Sequence, residues 1–128
     1  MTTTLARAVG RRSRQKAKQD KLVAPESAYR SPDGEAELVL RGAMTPKTRA
    51  AYADVLHGNV LSQEDAWHRA VEFLFERLAV RWEVSGVAAT TQKELLQRFR
   101  VATRDERAWI RDVLREHVTE HFPGVEAP

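Results

Sequence analysis

Glu35-Ala36-Glu37-Leu38-Val39-Leu40-Arg41 decides the architecture, because it is an apolar cluster that belongs to no helical repeat. Leu38, Val39 and Leu40 in succession suit either a buried strand or a turn of helix, and periodicity does not separate the two over so short a run. A strand needs a neighbour to satisfy its backbone N–H and C=O groups. No other segment presents itself as that neighbour, so the stretch reads as helical. The chain then reads as all-α: a small bundle of four to five helices with a basic, mobile N-terminal arm.

Downstream, four helix starts carry their own capping chemistry. Thr45 and Pro46 supply an N-cap and a proline at the first helical position, where a missing N–H costs nothing, and Gly58-Asn59 closes that helix. Ser62 opens the next, with Glu64 and Asp65 in its first turn favouring the positive end of the helix dipole. Its apolar residues Trp67, Val71, Leu74, Phe75, Leu78 and Trp82 recur every three or four positions, with Ala70, Phe73, Ala79 and Val80 widening the stripe. The spacing predicts a central helix over Gln63 to Glu83, stopped by Ser85-Gly86. Thr91 with Glu94, and Thr103 with Glu106, form the Ser/Thr-x-x-Glu pattern of a capping box. Leu95, Leu96 and Phe99 face inward on the first of these two helices. Trp109, Ile110, Val113, Leu114, His117 and Val118 do so on the second, until Phe122-Pro123-Gly124 ends it. On these stripes Trp67, Trp82 and Trp109 are expected to be core residues rather than base-stacking platforms.

Upstream, Pro25, Ser27, Ser31, Pro32, Asp33 and Gly34 mark Lys21 to Gly34 as a linker, with turn residues at the offsets a type I turn prefers. Residues 1–34 are therefore expected to be arm and linker, and residues 35–128 a single helical domain.

Charge is distributed unevenly over this plan. Residues 1–30 hold eight Lys or Arg against two acids, while residues 31–128 hold thirteen against sixteen, so an arm of +6 precedes a body of −3. Arg7, Arg11, Arg12, Arg14, Lys16, Lys18 and Lys21 form a block with few apolar residues, which repels itself unless an anionic partner neutralises it. Nucleic acid is the simplest such partner. A solubilising tail is the bland alternative, and the Arg-, Ser- and Thr-rich start also has the composition of a mitochondrial transit peptide, although its apolar face is little more than Leu5 and Val9. The chain has no cysteine, which removes disulfides and thiolate ligands and fits a reducing, cytoplasmic setting. No membrane span is expected.

Arg100, Arg104, Arg107 and Arg111 recur at helical spacing along the last helix and its approach, and are candidates to extend the basic footprint. Interleaved Asp105, Asp112 and Glu116 suit a mixed, salt-bridged surface equally well.

Thr91 to Phe99 resembles the first half of a bacterial helix-turn-helix, a resemblance of nine residues. It departs from that pattern at Arg100, where glycine is common, and at Glu106, where an apolar residue is expected. His117-Val118-Thr119-Glu120-His121 has the H-x-x-E-H order of the inverted zinc metallopeptidases. A third ligand downstream is lacking, so the histidines are read as structural and no metal or cofactor is expected. Asp65 with His68, and Glu72 with Glu76, are likewise read as solvated helix residues rather than di-metal or catalytic pairs.

These readings converge on a non-catalytic, nucleic-acid-binding accessory subunit of a ribonucleoprotein or other nucleoprotein assembly, contacting the backbone of RNA or DNA and docking on protein neighbours. The alternatives are a divergent helix-turn-helix transcription regulator, and a protein-interaction adaptor that binds no nucleic acid.

Overall fold

The computed structural model describes residues 25–58 and 62–128. Arg7, Arg11, Arg12, Arg14, Lys16, Lys18 and Lys21 lie outside them. The architecture is α+β, which corrects the all-α expectation. Ala36–Arg41 is not a helical turn but strand β2, and it pairs antiparallel with β1 (Glu26–Arg30) on one side and β3 (Ala79–Val84) on the other. β3 pairs in turn with β4 (Val87–Ala89), giving a four-stranded antiparallel sheet in the order β1-β2-β3-β4. Among the described residues the helices are α1 (Pro46–His57), α2 (Gln63–Leu78), α3 (Gln92–Arg100) and α4 (Arg104–His121). A helical bundle is thus replaced by helices packed on a sheet.

The missing strand partners occupy two stretches that read as something else. β1 lies inside the segment expected to be a linker. β3 takes up the end of the predicted Gln63–Glu83 helix, whose α-helical part stops at Leu78, and Ala79 is already extended at φ −67°, ψ 126°. Val80, Trp82 and Val84 alternate with Arg81 and Glu83, the period of a strand. Because Leu78 and Trp82 are also one helical turn apart, the helical repeat runs through the junction without a break.

Ser85-Gly86, expected to stop a helix, instead links the paired residues Val84 and Val87. Both take positive φ, 49° and 82°, as a two-residue type I′ hairpin requires to match strand twist. The Ser31–Gly34 turn closes with a 2.9 Å bond from the Gly34 N–H to the Ser31 carbonyl. The Asp33 carboxylate accepts from the Ser31 hydroxyl and the Glu35 N–H, which holds its carboxyl below the usual range.

All four caps fall where the residues place them: Thr45, Ser62, Thr91 and Thr103 each accept from an N–H in the first turn of their helix. Thr103 and Glu106 form the full reciprocal box.

One face of the sheet presents Leu38, Leu40, Trp82 and Ala89 to Leu74, Phe75, Leu114 and Val118 in a single core. Phe75 stacks on Phe99 at 4.8 Å and meets Trp82 edge-on at 5.6 Å. The opposite face carries an ion-pair ladder, Arg30–Glu37–Arg81–Glu83, of exposed pairs worth at most ~1 kcal/mol each. Of the three tryptophans only Trp82 is fully buried; Trp67 and Trp109 are half-buried. No helix among the described residues is long and apolar enough to cross a membrane.

Candidate nucleic-acid interface

The turn between α3 and α4 brings the start of α4 alongside α2, and a groove of about 590 Å³ runs between them. Arg104, Arg107 and Arg111 line it from α4, at intervals of three and four that put them on one helix face. Arg69 lines it from α2, so four arginines stand there against two carboxylates, Glu72 and Asp112. Val71, Phe99, Ala102 and Ala108 supply apolar lining.

Two of these guanidinium groups rest on rings. Arg107 lies 5.2 Å from the centre of Phe99, and Arg111 lies 5.0 Å from that of Trp67. A guanidinium held over a ring keeps in-plane N–H donors for a pair of anionic oxygens such as those of a phosphate. Backbone oxygens fix the arginines further. Arg107 Nη2 donates to the Arg100 carbonyl at 2.8 Å, and Arg111 Nε to the Pro128 oxygen at 3.3 Å. The guanidinium of Arg100 itself points to Glu72, with Nε 3.5 Å from Oε1. Of the four arginines expected to form a strip, three line the groove, and the fourth supports it through its carbonyl.

Arg69 was not among the candidates. It sits on the polar face of α2, and only the crossing of α2 with α4 puts it opposite Arg107. No signal in the sequence reports that crossing.

The other motifs are absorbed by structure. His117 is fully buried, and its Nε2–H donates to the Arg41 carbonyl at 2.6 Å. Its Nδ1 then accepts from the Tyr29 hydroxyl at 2.7 Å. Both ring nitrogens are therefore engaged. His121 Nε2 is 3.1 Å from the Ser27 hydroxyl. Among the described residues, no group of three His, Cys, Asp or Glu side chains is placed to hold a metal ion. Asp65 joins the Ser62 cap, and His68 lies 3.8 Å from Glu64. Glu72 pairs with Arg100 across helices, and Arg77 lies over Phe73 at 5.1 Å.

α3 and α4 form a capped helix pair with Leu95 and Phe99 buried. Glu106, at the position where a helix-turn-helix expects an apolar residue, accepts from the Thr103 N–H at 3.0 Å. Comparison with known proteins finds no matching family model, no matching curated protein and no matching solved structure.

Proposed function

We propose that this chain is a non-catalytic, nucleic-acid-binding subunit of a cytoplasmic nucleoprotein assembly, gripping the phosphate backbone while its folded body docks on protein neighbours. The observation that carries the reading is the groove in which Arg104, Arg107 and Arg111 of α4 meet Arg69 of α2, with Phe99 and Trp67 beneath two of the guanidinium groups. Phosphate contacts position a protein without reading sequence, and they serve RNA and DNA alike. The basic residues from Arg7 to Lys21 would add further positive charge to such a subunit. Asp105 and Glu106 at the first turn of α4 speak against that helix entering a major groove, where like charge repels the duplex.

Binding of fluorescent single-stranded and duplex oligonucleotides by the full chain, repeated across salt concentrations, tests the proposal. Four neutralised phosphates give a log–log salt slope of roughly −3 to −4, and Arg107→Ala or Arg111→Ala should each flatten it by up to ~0.9. Wild-type slopes in both variants would remove the groove from the interface. Undetectable binding by the unaltered chain would favour the protein-adaptor reading.

A further inference from the structure

Adjoining the arginine groove along α4, and sharing Ala108 and Asp112 with it, lies a second groove of about 730 Å³, walled by the β1–β2 turn, the end of β3 and the first turns of α4. Five carboxylates line it: Asp33, Glu35, Asp105, Glu106 and Asp112. Among the described residues, no salt bridge reaches any of the five. The walls between them are apolar, formed by Trp109, Val84 and Trp82. Trp82 brings an independent irregularity, a buried indole N–H that has no acceptor among the described residues. A concave site with unneutralised acids and an aromatic wall suits a segment rich in arginine and lysine, whose cations pair with the carboxylates or lie on the Trp109 ring.

We infer that this acidic groove is the binding site for the chain's own basic segment, Arg7 to Lys21. Charge complementarity is the first argument, because residues 1–30 carry a net +6 and the groove presents five acids. Tethering is the second: a segment joined to the same chain faces its site at an effective concentration of order mM, ahead of any free basic peptide. Reach is the third. Pro25 and the groove are separated by strand β1, about 17 Å for five residues, whereas the chain from Arg14 to Pro25 can extend to roughly 36–40 Å. The consequence, which rests on the proposed function, is competition. Phosphates draw the arm out of the acidic groove and along α4 to the arginine groove, so the acids set a threshold for nucleic-acid binding.

Because the chain lacks cysteine, Arg14→Cys in the full chain carries a single nitroxide, and line broadening of backbone amide NMR signals reports where it goes. In low salt and without nucleic acid, the amides of Ser31, Ala36, Ala108 and Trp109 should lose at least half their intensity. They should recover in ~1 M salt, where charges are screened beyond ~3 Å. They should also recover when Asp33→Asn, Glu35→Gln, Asp105→Asn and Asp112→Asn are combined. No broadening in low salt, or broadening unchanged by salt, would overturn the inference. So would equal broadening in a nitroxide-free, isotope-labelled chain mixed with a second copy, of natural isotope abundance, that carries the nitroxide. The salt titration of the singly labelled chain decides the matter even if the four-fold variant fails to fold. Nucleic acid is absent throughout, so this result and the oligonucleotide result fail independently.

Discussion

The Tyr29 hydroxyl donates to His117 Nδ1 at 2.7 Å, joining β1 to the C-terminal half of α4. The two rings meet edge-on with centres 5.6 Å apart. Since Nε2–H of the same imidazole donates to the Arg41 carbonyl at the end of β2, His117 ties two neighbouring strands to the helix that covers them. Its neutral tautomer is specified by that geometry, because a carbonyl only accepts.

Stability should therefore fall in mild acid. Burial pushes the His117 pKa down, opposed by its bond to the Arg41 carbonyl, assisted by His121 and opposed again by Glu120. The unfolded chain takes up its proton near pH ~6.5, before the folded chain does. The stabilisation is thus complete above that pH and is lost as pH falls through the lower folded value. Urea midpoints from pH 8 to pH 5 should show the decline, and a His117→Gln variant, less stable at every pH, should show a flatter profile.

Tyr29→Phe should cost roughly 1–3 kcal/mol, because it strands a buried acceptor while preserving the ring. The loss is to be read from denaturant midpoints at pH 8, where the histidine is neutral in both states. An unchanged midpoint would show that the hydroxyl contributes nothing to holding β1.

Leu74→Ala and Phe75→Ala should each cost roughly 2–5 kcal/mol, since both side chains are fully buried and truncation leaves a cavity between sheet and helices. That is much of the stability of a domain this small. Thermal unfolding of either variant within a degree or two of the parent would contradict the core described above.

Deleting residues 1–21 should leave the folded body intact, because the described residues from Leu38 to Phe122 already form a closed core among themselves. It should sharply weaken nucleic-acid binding and make its salt dependence shallower, each lost phosphate contact removing ~0.7–0.9 from the slope. Circular dichroism checks the fold and oligonucleotide titration checks the binding. Equal affinity and slope in the two forms would exclude the arm.

Helix starts were legible because each is written locally. Thr45, Ser62, Thr91 and Thr103 each cap through atoms within three residues of themselves. The sheet was not, because a strand is defined by a partner elsewhere. β1 reads Glu-Ser-Ala-Tyr-Arg, with only Ser27 and Tyr29 turned inward, too polar to register as half of a hairpin. Trp82 satisfied the helical repeat and the strand repeat at once, and the longer pattern prevailed. In the arginine groove, the spacing on α4 was visible in the sequence, while Arg69 and the gathering of acids in the adjoining groove were not. Those depend on which elements come to lie side by side.

The order of the sheet also governs how quickly this chain reaches its native state. β1–β2 and β3–β4 are local hairpins of the kind that close in ~1–10 μs. The central ladder between β2 and β3 is different: Arg41 and Ala79 are separated by both α1 and α2, so the two hairpins zip together only after that long excursion has folded back. The entropy of closing it is lost before the ladder returns anything. Refolding should accordingly be slower than for a bundle of equal length, with Leu38 and Trp82, which face each other across that ladder, reporting on the rate-limiting step.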